Sequence, residues 1–124
     1  MYTLMHYYAQ DPGVNASTNF RWNEFACSCC GQILVAERLV DMCQAVRSHL
    51  SKPLVESSAY RCPLHNRAER GADRSLHTMG LAVDLSLPEG SEDRVWAHQF
   101  LASYWQGRVL RYSWGLHVDC SDPS

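Results

Sequence analysis

Ser75-Leu76-His77-Thr78-Met79-Gly80-Leu81-Ala82-Val83-Asp84 is the stretch from which the fold of this chain can be read. It has the form S-x-H-x-x-G-x-A-x-D, and Gly115-Leu116-His117-Val118-Asp119 complements it near the C-terminus. Leu81, Val83, Leu85 and Leu87 alternate with Ala82, Asp84 and Ser86, the period of a strand with one buried face. Asp84 therefore points away from the apolar side. The later segment repeats the pattern, with Leu116, Val118 and Cys120 on one face and His117 and Asp119 on the other. Two neighbouring strands can thus present Asp84 and His117 to one point, with His77 reaching in from the preceding loop. Gly80 permits a tight turn there, and Ala82 keeps the floor of the site low. Two imidazoles and one carboxylate form the ligand set of a catalytic zinc site, which leaves a fourth position open.

Joined by the upstream Ser58-Ala59-Tyr60-Arg61, these motifs resemble those of the zinc D-Ala-D-Ala carboxypeptidase and endopeptidase family, peptidase family M15, and in particular its small phage- and bacteria-encoded members. Asn19 to Cys30, with Glu24-Phe25-Ala26-Cys27 and Cys29-Cys30-Gly31, is similar to the N-terminal stretch of those members. The resemblance runs from about residue 19 to residue 121. It implies an α+β domain of the hedgehog/D-Ala-D-Ala peptidase-like kind, with Zn2+ on His77, Asp84 and His117. It also implies that Arg61 lies in the active site, holding a substrate carboxylate or a polarised carbonyl, with Tyr60 and Ser75 as substrate-binding neighbours. A guanidinium suits that task because its fixed fork of donors matches a carboxylate; the alternative for Arg61 is a structural ion pair. The implied substrate is bacterial peptidoglycan, cut at a D-Ala terminus, across a cross-link, or between L-Ala and D-Glu.

The chain departs from the family at one position. Several branches carry an acidic residue three places before the last histidine ligand, where this sequence has Trp114. Asp119, on the same face as His117, is the best substitute as general base, or else it orients a ligand histidine. Glu56 and His65 are weaker candidates for the base. A missing base is also the mark of the rival reading, a non-catalytic zinc-bearing wall-binding or phage virion structural domain.

Composition narrows the other classes. A chain of 124 residues with 46% hydrophobic and 19% charged residues is one globular domain with a single core. We divide it into an N-terminal arm, residues 1–18, and a zinc peptidase domain, residues 19–124. No window approaches the roughly 18 apolar residues of a membrane span. A net charge of -2 argues against a nucleic-acid surface, which is markedly basic. Met1-Tyr2-Thr3-Leu4-Met5-His6 has no basic region followed by an apolar core, so no signal peptide is expected. A wall-acting enzyme made in the cytoplasm would then reach the periplasm and cell wall through lysis, a holin or delivery in a virion, where phage tail proteins become partners.

Six cysteines occur, and Cys27, Cys29 and Cys30 crowd together. For a cytoplasmically made protein the plain expectation is buried thiols beneath the N-terminal loop. The alternatives are a disulfide to Cys43, Cys62 or Cys120, or a second, structural zinc.

The remaining elements follow from periodicity. Residues 1–18 read as an irregular or partly ordered arm with a turn at Asp11-Pro12-Gly13. Phe20, Trp22 and Phe25 are expected to pack over the domain. Val35, Leu39, Met42, Cys43, Val46 and Leu50 make an apolar stripe, which predicts a helix from Ile33 to Leu50, ended by Lys52-Pro53. His49 is expected to serve the dipole at its end. Leu54 to Tyr60 reads as a strand and Arg67 to Arg74 as a charged loop. Ser91 is an N-cap, with Glu92 and Asp93 in the first turn. The second helix carries Val95, Trp96, Gln99, Phe100, Ala102 and Tyr104 and ends near Gly107. A strand from Arg108 to Ser113 and the tight Trp114-Gly115 connection lead to the last strand. The expected architecture is a small antiparallel sheet with two main helices on one face and the metal site on the other.

Overall fold

The computed structural model describes residues 4–8, 14–68 and 75–121. The Asp11-Pro12-Gly13 turn, Arg70, Arg74 and the side chain of His65 lie outside that part. The centre is a four-stranded antiparallel sheet in the order β3-β4-β6-β5, formed by β3 (Glu56–Ser58), β4 (Ala82–Ser86), β5 (Arg108–Tyr112) and β6 (Gly115–Asp119). The apolar alternation in the central stretch does what its period requires. Val83, Leu85, Leu116, Val118 and Cys120 are buried in one core, and each of the larger aliphatic ones contributes about 1.5–3 kcal/mol by leaving water.

That core is completed by α1 (Glu37–Leu50), through Leu39, Val40, Met42, Cys43 and Val46, and by α3 (Glu92–Tyr104), through Ala97 and Leu101. α1 ends at Ser51, whose φ of 57° is left-handed and whose amide closes back on the Arg47 carbonyl at 3.0 Å. Lys52-Pro53 follows, and the proline disfavours a helical residue before it. α3 begins as expected, with the Ser91 hydroxyl accepting the Arg94 amide at 3.2 Å. The exposed Lys52–Asp93 pair at 3.1 Å, of a kind worth at most about 1 kcal/mol, does not hold α3 in place. Its apolar seam does, together with buried Arg94, which donates to the carbonyls of Leu87 and Tyr112 at 3.2 and 2.8 Å.

One expectation is corrected, and two features go beyond the sequence pattern. The helix does not begin at Ile33, because Gln32–Ala36 is a strand, β2, paired antiparallel with β1 (Leu4–Tyr8). Ile33 and Val35 are buried at alternate positions, and the partner that makes this a ladder is distant in sequence, so the local pattern merges with the helical stripe behind it. Residues 4–8 of the arm are accordingly a regular strand. The buried side of α3 is Arg94, Ala97 and Leu101, not the aromatic stripe; Val95, Trp96 and Tyr104 are exposed. Phe100 stacks on Tyr104 and on His49, with ring centroids 5.0 and 4.7 Å apart, so His49 ends α1 as an aromatic contact. Finally, Pro63–Ala68 forms a short helix, α2, with proline at the first position, where its missing amide costs nothing. Phe20 and Phe25 are buried as expected, their rings 6.1 Å apart, with Phe25 in a 3-10 turn at Trp22–Phe25.

Candidate active site

β4 and β6 are neighbours, and Asp84 stands directly opposite His117 in their register. Both side chains project from the face opposite the helices. His77 comes from a 3-10 turn, Leu76–Met79, that leads into β4. Ser75 caps this turn, its hydroxyl accepting the His77 amide at 3.3 Å. Gly80 ends it at φ 71°, packed so closely on β2 that a Cβ would stand 2.6 Å from the Leu34 carbonyl oxygen. The turn is pinned further by the Gly80 carbonyl, which accepts the Ala36 amide at 2.8 Å. The fold thus brings His77, Asp84 and His117 together, with one ligand atom from each within 4.8 Å of the others.

Each imidazole is held from behind. His77 is 2% exposed, and its Nδ1 donates to the Ala59 carbonyl at 2.7 Å, leaving Nε2 aimed at Asp84 Oδ1, 3.2 Å away. His117 Nε2 donates to Asp119 Oδ2 at 2.8 Å, while its Nδ1 faces Asp84 Oδ1 at 2.9 Å. Asp119 is fully buried and held on every side. Arg108 donates twice to Oδ2, at 2.9 and 2.7 Å, and the amide and hydroxyl of Ser121 reach Oδ1 at 2.9 and 2.5 Å. An unbroken line of hydrogen bonds therefore runs from Arg108 through Asp119, His117, Asp84 and His77 to the backbone of Ala59.

This line sets the charges. Burial opposes ionisation of Asp84, but hydrogen bonds from His117 and His77 outweigh it and bring its pKa to about 2. Burial likewise pulls His117 down, yet its bonds to Asp119 and Asp84 outweigh burial and raise it to about 9. Burial also acts against the charge on Asp119, and His117, Ser121 and Arg108 together hold it well below the usual carboxylate range. The donor set fits a zinc ion. It has two nitrogens and one carboxylate oxygen converging from one side, and the far nitrogen of each ring is fixed by a carbonyl or a carboxylate, as ligand histidines require.

A cleft of about 510 Å³ opens beside Asp84 and is lined in part by Tyr60, Arg61, Glu24, Glu56 and Trp114. Arg61 sits half-buried, its amide bound to the His77 carbonyl at 3.2 Å, and its Nε has no hydrogen-bond partner among the described residues. Glu56 Oε1 is a second buried polar atom without such a partner. Burial pushes Glu56 up to about 8, with nearby Glu24 adding to the rise. Trp114 stacks face to face on Tyr112, ring centroids 5.1 Å apart, and forms an aromatic wall. Of the residues expected from sequence, Asp84, Tyr60 and Arg61 line the cleft; His77, His117, Ser75 and Asp119 are not among its lining residues, so the ligand set meets the cleft through Asp84.

The sequence reading missed Arg108 and the place of Glu24 in the cleft. Arg108 was within reach: pairing the last two strands across their two-residue turn sets it opposite Asp119, where opposite charges attract. Glu24 carries no such signal, because its segment meets β3 only through the tertiary fold.

Two anchored imidazoles, one from the sheet and one from the turn before it, and a carboxylate at the edge of a polar cleft form the donor set that metal-centred hydrolases use. The family model described as Peptidase M15 matches residues 17–119, and the chain belongs to that peptidase family. Neither the curated proteins nor the solved structures contain a match to it.

Proposed function

We propose that this domain is a zinc-dependent peptidase that hydrolyses peptide bonds in the stem peptides or cross-links of bacterial peptidoglycan. The observation that carries the reading is the convergence of His77 Nε2, His117 Nδ1 and Asp84 Oδ1, with both rings anchored, at a cleft whose wall presents a guanidinium. Zinc bound there supplies Lewis acidity that activates water and polarises a carbonyl.

The chain's own groups do the rest. Arg61 presents its guanidinium to a cleft large enough for a short peptide, and it is suited to a terminal carboxylate or to the oxygen on which charge develops. Tyr60 and Trp114, which line the cleft, flank the bound peptide. Ser75 acts at one remove by capping the turn that carries His77. Asp119 is a positioning residue: engaged by Arg108, Ser121 and His117, it fixes the orientation of His117 and has no donor or acceptor left for substrate. The proton-transfer role passes to Glu56. Its carboxyl group lines the cleft and holds a proton near neutral pH, and with Oε1 unpartnered among the described residues it can give that proton to a leaving amine. This assignment accounts for Trp114 at the position where an acidic residue was expected.

We further propose a role as an endolysin-like or virion-associated wall hydrolase, released by lysis or delivered with phage tail proteins, on the ground of the substrate chemistry. The test is turbidity loss of purified peptidoglycan with and without chelator, alongside His117→Ala and mass analysis of the products. Chelator-sensitive release of new amino termini, absent in the variant, is the expected result, and the fragment masses name the bond cut. Folded, metal-loaded protein that cleaves no wall type overturns the proposal in favour of a binding or structural module.

A further inference from the structure

A second group of metal-type donors lies outside the site described above. Cys27, Cys30 and Cys62 place their sulfur atoms within 4.8 Å of one another. Cys27-Ser28-Cys29-Cys30-Gly31 makes a tight turn, closed by the Gly31 amide on the Cys27 carbonyl at 2.8 Å, with Gly31 left-handed at φ 74°. The Cys27 amide donates to the Gln32 carbonyl at 2.8 Å, so the turn sits firmly on β2. This C-x-x-C-G turn directs Cys27 and Cys30 to the same side. Cys62 arrives from the far end of the chain segment, and its amide points at Cys27 Sγ at 3.4 Å, a donor contact that stabilises a thiolate.

Cys27 is buried as expected, but burial alone does not explain a grouping with half-buried Cys62 and exposed Cys30. Cys43 and Cys120 are buried, each away from the cluster, as small apolar side chains are; Cys29 and Cys30 are exposed. All six side chains are thiols, with no disulfide. What remains is the donor chemistry: several sulfurs meeting at one point on a preformed turn, the ligand type that selects zinc over harder cations.

We propose that Cys27, Cys30 and Cys62 bind a second, structural zinc ion. Each thiol gives its proton to solvent as its thiolate bonds to the ion. The ion fastens the N-terminal turn, whose Ser28 lines the cleft, to Cys62, which directly follows Arg61. Its role is thus to hold the guanidinium-bearing segment against the cleft wall, and binding does not depend on hydrolysis at the other site.

The test is Co2+ substitution of the reduced, purified protein. A thiolate-to-cobalt charge-transfer absorption in the near ultraviolet is expected in the wild type and equally in His117→Ala, because the histidine–aspartate set contains no sulfur. Cys62→Ser and Cys30→Ser are expected to lose that absorption and one metal equivalent. Should either variant fail to fold, alkylation of the native wild type reads the same point: Cys27, Cys30 and Cys62 resist iodoacetamide until a strong chelator is added. Folded wild type that takes up cobalt without the charge-transfer band overturns the proposal. So does equal alkylation with and without chelator, or a disulfide within the cluster in protein isolated without reductant.

Discussion

Glu56 and Asp119 are both shielded carboxyl groups on strands of one sheet, and their partners push them in opposite directions. Asp119 has Arg108, Ser121 and His117 around it and stays ionised. Glu56 has burial and a neighbouring acid, and its proton is retained to about pH 8. The consequence for stability has a definite sign. A folded-state pKa raised from the ordinary 4.5 to about 8 means that the neutral form is favoured on folding. The contribution is fully present below about pH 4.5 and is lost as pH rises toward 8. Glu56→Gln keeps the shape and removes the titration. The variant is expected to melt above the wild type at about pH 8–9, with the gap closing near pH 5. Melting temperature across that range checks it, and identical pH profiles for the two proteins would show that Glu56 is not shifted. The same variant is expected to lose peptidase activity at neutral pH, since the amide cannot donate a proton to a leaving group in the same way.

At the scale of elements, the site depends on how the 3-10 turn docks on the two-stranded sheet. Gly80 is the joint. It needs φ 71°, and it lies against the Leu34 backbone with no room for a methyl group. An alanine there meets two costs: left-handed strain of about 1–2 kcal/mol, and displacement of the turn from β2. Gly80→Ala is therefore expected to destabilise the domain by at least about 2 kcal/mol and to weaken metal binding by moving His77. Urea unfolding and chelator competition measure the two effects. Gly31, also at positive φ but with open space around it, is expected to show only the strain. A Gly80 variant no less stable than the Gly31 variant would remove the packing argument.

For the whole molecule, metal bound at either candidate centre would couple to folding. An ion that binds only the folded chain stabilises it by about 2.7 kcal/mol at a hundredfold excess over its Kd. Removing metal with a chelator is therefore expected to lower the melting temperature by several degrees. In His117→Ala the chelator effect is expected to shrink but persist, because the cysteine cluster still holds an ion. Calorimetry with and without chelator decides this, and an effect abolished entirely by His117→Ala would leave the cysteine cluster without a part in stability.

The sequence by itself determined the central strand pair, the outward face of Asp84 and His117, the capped start of α3 and the family, because these rest on short-range periodicity and on motifs a few residues long. It also named His77, which a turn of four residues delivers. Tertiary structure alone decided the rest. β2 separates from α1 only because β1 pairs with it, and pairing across that distance leaves no local trace. The face of α3 that turns inward was settled by what it packs against, since both its stripes contain apolar residues and it is Arg94, Ala97 and Leu101 that are buried. The surroundings of Asp119 and Glu56, and the meeting of Cys62 with Cys27 and Cys30, arise from groups far apart in the chain. Burial and hydrogen bonding, the two effects that set a carboxyl group's charge or gather sulfurs at one point, exist only once the chain has folded.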